Sequence, residues 1–171
     1  VIALREAGLF ALKLPAVLGG AEADPVTQLE VIEAVSYIDP STGWSLMIGA
    51  GSLSFCAFLP DEAIARMFSG GRIPTIATAI MPGRAVPVDG GHRVTGRWSW
   101  ASGIRHAEWV MAHALVERQG GLPESRVVAV PIADVEIHDN WHVAGLKGTG
   151  SCDFSITDRF VPKGFTFDLQ T

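Results

Sequence analysis

The sequence predicts an α+β protein, an N-terminal α-helical half followed by an antiparallel β-barrel or sandwich, with the change near Arg72. Three observations predict it. Up to about residue 70, apolar residues recur at helical spacing between Asp-Pro start signals. Beyond it, short β-branched and aromatic runs alternate with glycine and proline, the pattern of a closed or sandwiched sheet. Third, 48% of the 171 residues are hydrophobic and only 18% are charged. That is ample core material with fewer charges than the usual quarter. Part of the surface is therefore expected to be covered by another domain or subunit. The expected domains are residues 1–71, helical, and 72–171, β.

Leu4, Ala7 and Gly8 close a short first helix, and Phe10 to Leu14 reads as a short extended piece ending at Pro15. Gly19-Gly20 is a loop. Asp24-Pro25 starts a helix, Asp as the cap and Pro in the first turn. Val31, Ile32, Val35 and Ile38 follow at helical spacing. Asp39-Pro40-Ser41-Thr42 stops that helix and caps the next, an apolar helix from about Gly43 to Leu59. Pro60-Asp61-Glu62 opens a further short helix to about Phe68, its acids placed as the helix dipole favours. Pro74 to Ile80 is a strand. Ala85 to Val88 and His92 to Thr95 form a hairpin about Asp89-Gly90-Gly91. Gly96 to Ala101, Trp109 to Val116, Arg126 to Pro131, Val135 to His138 and Phe154 to Val161 are the remaining strands.

Several function classes are disfavoured. The net charge is −5, from 13 Lys and Arg against 18 Asp and Glu, with no basic stripe, so nucleic acid is not an expected partner. No basic segment precedes an apolar one at the start, and no signal peptide is expected. The Gly43–Leu59 window is short for a membrane span, so no membrane is expected and the location is read as cytoplasmic. Cys56 and Cys152 form no Cys-x-x-Cys pair and are expected to be reduced. Histidines at 92, 106, 113, 138 and 142 are scattered without a completing carboxylate or cysteine, and no metal is expected. No Gly-x-Ser-x-Gly elbow exists, which disfavours a serine hydrolase. Glu30, Glu33, Asp61 and Glu62 read as solvated helix charges.

The richest segment is Gly96 to Trp109. On a regular strand Trp98, Trp100 and Ser102 share one face. Two indoles and one hydroxyl there form an aromatic wall with a single polar contact, suited to a flat conjugated cofactor. The plain alternative is a core strand whose tryptophans simply pack. Gly145 to Asp153 contains Gly148-x-Gly150, which lacks the third glycine and following helix of a dinucleotide loop. It reads as a tight turn whose backbone approaches a neighbouring site.

Gly96-x-x-x-Trp100-Ala-Ser102-Gly103, with Ala107 and Trp109, resembles the acyl-CoA dehydrogenase strand Gly-x-Lys-x-Trp-Ile-Thr-Asn. Thr78-Ala-Ile-Met-Pro82-Gly83-Arg84 stands where that superfamily has Thr-Glu-Pro-x-x-Gly-Ser-Asp, but Ile80-Met81 replaces the acid region and Arg84 the serine region. Gly148-Thr-Gly-Ser151 through Asp158-Arg-Phe-Val-Pro162 resembles the segment closing the β-domain. Ser41-Thr-Gly-Trp44, Gly90-Gly91, Trp98, Ser102-Gly103 and Gly148 to Ser151 look most like the two-component flavin monooxygenase branch. Some of its members carry a histidine where this chain has Ser52.

The resemblance implies a flavin, FAD or FMN, with Trp100 packing on its ring and Ser102 contacting N5 and the flavin hydroperoxide. Thr78, Ile80 and Gly103 are the further implied flavin contacts, and Trp98, Ser52, Arg84 and Ser151 the implied substrate pocket. It implies oxygenation of a small aromatic or heteroaromatic substrate, a separate flavin reductase, and a homotetramer in the full-length protein. A C-terminal four-helix bundle carrying the main catalytic acid or base is expected outside this chain. A chain without it is expected to be inactive alone and to expose apolar faces. The rival readings are an FAD-dependent acyl-CoA dehydrogenase and, more remotely, a non-catalytic binding module.

Overall fold

The computed structural model describes residues 1–117 and 122–168. Four α-helices come first: α1, Ile2–Glu6; α2, Pro25–Ile38; α3, Pro40–Ser54; and α4, Asp61–Met67. Seven strands follow: β1, Ile76–Val88; β2, Gly91–Ala101; β3, Trp109–Val116; β4, Glu124–Pro131; β5, Glu136–Ile137; β6, Cys152–Pro162; and β7, Thr166–Phe167. The change of texture lies between Met67 and Ile76, on either side of Arg72. One buried cluster runs across it, joining Leu14, Leu53, Cys56 and Met67 to Ile76, Trp98, Val110 and Phe154. No helix is long and apolar enough to cross a membrane among the described residues.

The caps set the helices. The Asp24 carboxylate accepts from Val26 N–H at 2.9 Å and Thr27 N–H at 3.2 Å, and Pro25 opens α2. Asp39 ends α2 and caps α3, accepting from Thr42 N–H at 2.6 Å. Hydrogen bonds from Thr27 and Thr42 hold both carboxyls below the usual range. Phe10 to Leu14 is not extended as expected. Leu9–Ala11 is a single 3₁₀ turn, and Phe10, Ala11, Leu12 and Leu14 are buried instead of alternating. The apolar helix ends at Ser54, and Phe55–Phe58 continues as a 3₁₀ turn.

The seven strands form one sheet in the order β5-β6-β2-β1-β3-β4-β7. The expectation of an all-antiparallel sheet is corrected at one pair, because β1 and β3 run parallel. The cause is topological. β1 and β2 form the expected antiparallel hairpin about Gly90. The chain then turns through residues 102–108 and lies on the opposite side of β1, so β3 runs with it. Pro74–Ile80 and Ala85–Val88 are one strand rather than two. Pairing with β3 slips between Ala79 and Gly83, where Pro82 has no N–H to donate, but the chain stays extended.

Trp98 is the centre of the β half. It is fully buried, stacks on Phe154 at 5.1 Å and 12°, and donates its indole N–H to His113 C=O at 2.8 Å. Gly83 makes room for it: a Cβ there would lie 2.1 Å from Trp98 Cζ2. Cys56 and Cys152 are buried free thiols, and burial pushes Cys56 up to about 12.

Two stability predictions follow from these contacts. Gly83→Ala should cost about 1–3 kcal/mol, the usual overpacking penalty, because the added methyl meets a fully buried indole. Asp39→Ala should cost about 1 kcal/mol for the lost cap. Both are read as a lowered urea midpoint at unchanged m-value. An unshifted midpoint for Gly83→Ala would contradict the packing account.

Candidate flavin site

The site begins at an irregularity. Against β6, Trp98 pairs with Phe154 and Ala101 with Cys152, so β2 spends one residue more than its partner. The extra residue reverses the alternation. Trp98 and Ala101 both enter the core, whereas Trp100 is turned outward with φ +64° and is 69% exposed. Ser102 points inward and is only 7% exposed. Trp98, Trp100 and Ser102 therefore do not share one face, contrary to the regular-strand expectation. Positive φ on a bulky residue costs about 1–3 kcal/mol, and such outliers collect at functional sites.

Ser102 lies in a chain of hydrogen bonds. The Trp44 indole N–H, from α3, donates to Ser102 Oγ at 2.9 Å. The Ser102 and Ser151 hydroxyls are 2.8 Å apart, those of Ser151 and Thr149 2.7 Å, and Thr149 Oγ1 donates to Leu146 C=O at 2.9 Å. The Gly148 region is a tight turn approaching this neighbour, as its glycines imply: Gly103 N–H donates to Thr149 C=O at 2.9 Å. Around the hydroxyls lies a mostly apolar recess of about 300 Å³, walled by Trp44, Trp100, Trp141 and Leu146. The wall is pinned from behind. Asp153 N–H donates to Asn140 Oδ1 at 2.9 Å, and Arg97 donates to the Asp153 carboxylate at 3.0 and 3.2 Å. Burial alone would raise the Asp153 pKa, but side-chain hydrogen bonds from Arg97, Ser99 and Asn140 and the Arg97 charge outweigh it and hold it below the usual range.

A second recess, of about 570 Å³, lies between α3 and β1 and is lined by Met47, Ile48, Ser52, Thr78, Ile80 and Met111 among others. Ser52 Oγ donates to Ile48 C=O at 2.8 Å. Its only hydroxyl hydrogen is thereby used, so the 3.0 Å contact with Thr78 has Thr78 as donor. Among the described residues, Lys13 and His113 are the ionisable groups on this lining, and none is a carboxylate.

The structure thus gathers Trp100, Ser102 and Ser151 at one recess, with Gly103 at its edge, and Ser52, Thr78 and Ile80 at the other. Two expected pocket residues stand apart from both. Trp98 is enclosed in the β core. Arg84 lies six residues along β1 from Thr78, about 20 Å of strand, and pairs with Glu117 at 2.8 Å on the surface. Sequence reasoning missed Trp44, Thr149 and Trp141 as site residues. Trp44, Ile48, Ser52 and Phe55 recur at three and four residues along one helical face, a signal that was present in the sequence.

Residues 1–61 match the family model of the acyl-CoA dehydrogenase N-terminal domain. The whole fold superposes on XiaF from Streptomyces sp., solved in complex with FADH2 and glycerol, with a TM-score of 0.90 at 30% identity, over 98% of this chain and 43% of that one. Residues 1–61 are therefore an acyl-CoA dehydrogenase N-terminal domain by likeness to that family. Among curated relatives, the chain is 34% identical over 161 residues to the pigment production hydroxylase of Rhodococcus sp. (strain ATCC 21145), 94% of this chain and 42% of that protein. It is 32% identical over 165 residues to the oxygenase component of the FADH2-dependent resorcinol hydroxylase of Rhizobium sp. (strain MTP-10005), 95% of this chain and 40% of that protein. The chain therefore spans about two fifths of the length of the relatives it matches.

The residues present fit a flavin ring. Three indoles offer flat apolar contact, and one hydroxyl edge offers a directed polar contact, with no charged group lining the recess among the described residues.

His106 sits beside this site, its Nε2 3.0 Å from where a Cβ on Gly103 would lie. Burial lowers its pKa from 6.5, and nearby positive charge, Arg5 included, lowers it further. Burial likewise lowers His92. A depressed histidine disfavours protonation of the folded state. Its stabilising contribution is complete above about pH 6.5 and is lost as pH falls toward the folded pKa. The urea midpoint should therefore decline below about pH 6.5, less steeply in His106→Asn. A midpoint flat from pH 7.5 to 5 would contradict the assignment.

Proposed function

We propose that this chain is the flavin-docking part of a reduced-flavin-dependent monooxygenase that hydroxylates a small aromatic or heteroaromatic substrate. The observation that carries the reading is Ser102, a buried hydroxyl fixed by Trp44 and Ser151 beside the outward, strained Trp100. The relatives' names support it: one is a hydroxylase, one an FADH2-dependent oxygenase component acting on resorcinol. When bound, reduced flavin supplies the chemistry, activating O2 so that one oxygen atom enters the substrate and the other leaves as water.

The chain's own residues bind, orient and keep water out. Trp100, Trp44 and Trp141 give the ring apolar contact, and Ser102 fixes the N5 edge. Gly103 lets the backbone turn away from that edge with φ +77°. The α3–β1 recess, apolar apart from Lys13, His113 and a few hydroxyls, holds the aromatic substrate, with Ser52 and Thr78 on its wall. Water exclusion matters because activated oxygen otherwise leaves as peroxide. An oxygenase component implies a separate reductase as the source of reduced flavin, FAD or FMN. The same reading makes the protein a cytoplasmic homotetramer, and the exposed Val26, Leu29, Tyr37 and Ile38 of α2 offer surface for subunit contact.

The test uses the full natural chain with reduced flavin, O2 and a panel of phenols and indoles. Hydroxylated product is expected, and acyl-CoA thioesters should not reduce the bound oxidised flavin. Ser102→Ala removes the flavin's one hydrogen bond to this residue, worth about 1 kcal/mol, along with the Trp44 and Ser151 contacts, and should raise peroxide released per product at least roughly fivefold. Flavin reduction by a thioester, or unchanged coupling in Ser102→Ala, would contradict the reading.

A further inference from the structure

The hydroxyls behind Ser102 have a direction, and donor counting fixes it. A serine or threonine hydroxyl has one hydrogen and two lone pairs. Thr149 spends its hydrogen on Leu146 C=O, at 2.9 Å. In the 2.7 Å contact between Thr149 and Ser151, the donor must then be Ser151. Ser151 has no hydrogen left, so in the 2.8 Å contact with Ser102 the donor is Ser102. Trp44 N–H is a donor only and occupies one lone pair of Ser102 from the other side, at 2.9 Å. One lone pair of Ser102 remains for the recess. Toward a ligand, Ser102 is therefore an acceptor.

The array is held in place by burial. Thr149 is 2%, Ser151 4% and Ser102 7% exposed, so water does not readily supply alternative partners. Reversing the relay, so that Ser102 donates into the recess, requires Thr149 to give up Leu146 C=O and turn to Ser151. Leu146 C=O keeps two donors after that, Thr149 N–H at 3.1 Å and Trp141 Nε1–H at 3.2 Å. Two donors match the two lone pairs of that carbonyl, so the cost of reversal is at most the one hydrogen bond that Thr149 gives up.

We infer that Trp44, Ser151 and Thr149 are positioning residues that set the hydrogen-bond polarity of Ser102 and thereby make the site prefer reduced over oxidised flavin. The inference rests on the proposal that the flavin N5 edge docks at Ser102. Reduced flavin carries a hydrogen on N5, a donor that meets the free lone pair of Ser102. Oxidised flavin presents a lone pair at N5, which faces a lone pair unless the relay reverses. No bond is made or broken in this selection; it is a difference in binding between two redox states. The loss of one net hydrogen bond, the most that reversal can cost, corresponds to about five- to tenfold in affinity. For a two-electron couple the same factor raises the bound flavin's midpoint potential by about 20–30 mV.

The experiment measures dissociation constants of the full natural chain for oxidised flavin and, anaerobically, for reduced flavin, together with the bound midpoint potential. The wild type should bind the reduced form more tightly. Ser151→Ala and Thr149→Val each free the Ser102 hydrogen to turn outward. The ratio of oxidised to reduced dissociation constants should fall about five- to tenfold in both, with the potential dropping accordingly. Thr149→Ser keeps the hydroxyl and should retain the wild-type ratio. Equal weakening of both redox forms, the signature of a merely structural role, would overturn the inference, as would an unchanged ratio in the two disrupting variants. A wild type that binds neither form would instead overturn the flavin reading beneath it.

Discussion

The site depends on the hydrogen bond between Trp44 and Ser102. It joins the N-terminal part of α3 to the residue that follows β2, and its two partners are 58 residues apart in sequence. Eight residues further along the same helix, roughly 12 Å by the helical rise, Ser52 meets Thr78 of β1. Two polar contacts therefore fix the tilt of α3 against the sheet, and the space left around them is the pair of recesses. The apolar core supplies most of the burial, but it is non-directional. The indole and hydroxyl contacts define which faces meet.

A local distortion makes that contact available. A regular β2 would place Ser102 on the face of Trp98 and Trp100. The added residue in the bulge instead puts Trp98 in the core, Trp100 in the open and Ser102 against Trp44. The strain of Trp100 at positive φ is carried by its rigid neighbours: Trp98 stacked on Phe154 below it, and the Gly103 to Thr149 hydrogen bond after it. Stability and function are coupled here, because the packing that fixes Trp98 also fixes where the bulge must fall.

Much of this was legible in the sequence, and the limits have physical causes. The caps at Asp24 and Asp39 were readable because capping is local chemistry within a few residues. Most strands were readable from composition and spacing, and the hairpin at Gly90 from its glycines, but the two-residue β7 was not, and the hairpin's second arm and the Gly96–Ala101 strand proved to be one strand, β2. The parallel pairing of β1 and β3 was not, because strand neighbours are chosen by the path of the chain rather than by either strand. The bulge left no mark either: Trp-Ser-Trp-Ala-Ser contains no glycine to announce a positive φ, so strict alternation gave Trp98 the wrong partners. Ser102 and Ser151 were legible through family likeness. Trp44 shares a helical face with Ser52 that the sequence displays, but its bond to Ser102 and the place of Thr149 needed coordinates, since a donor count requires knowing which groups touch.

The central claim is that a flavin docks with N5 at Ser102, its ring against the three indoles. The most direct test is a crystal structure of the full natural chain with reduced flavin bound. N5 should lie within about 3 Å of Ser102 Oγ, with the ring in contact with Trp100 and Trp44. A flavin bound elsewhere, with Ser102 still facing only Trp44 and Ser151, would contradict the account.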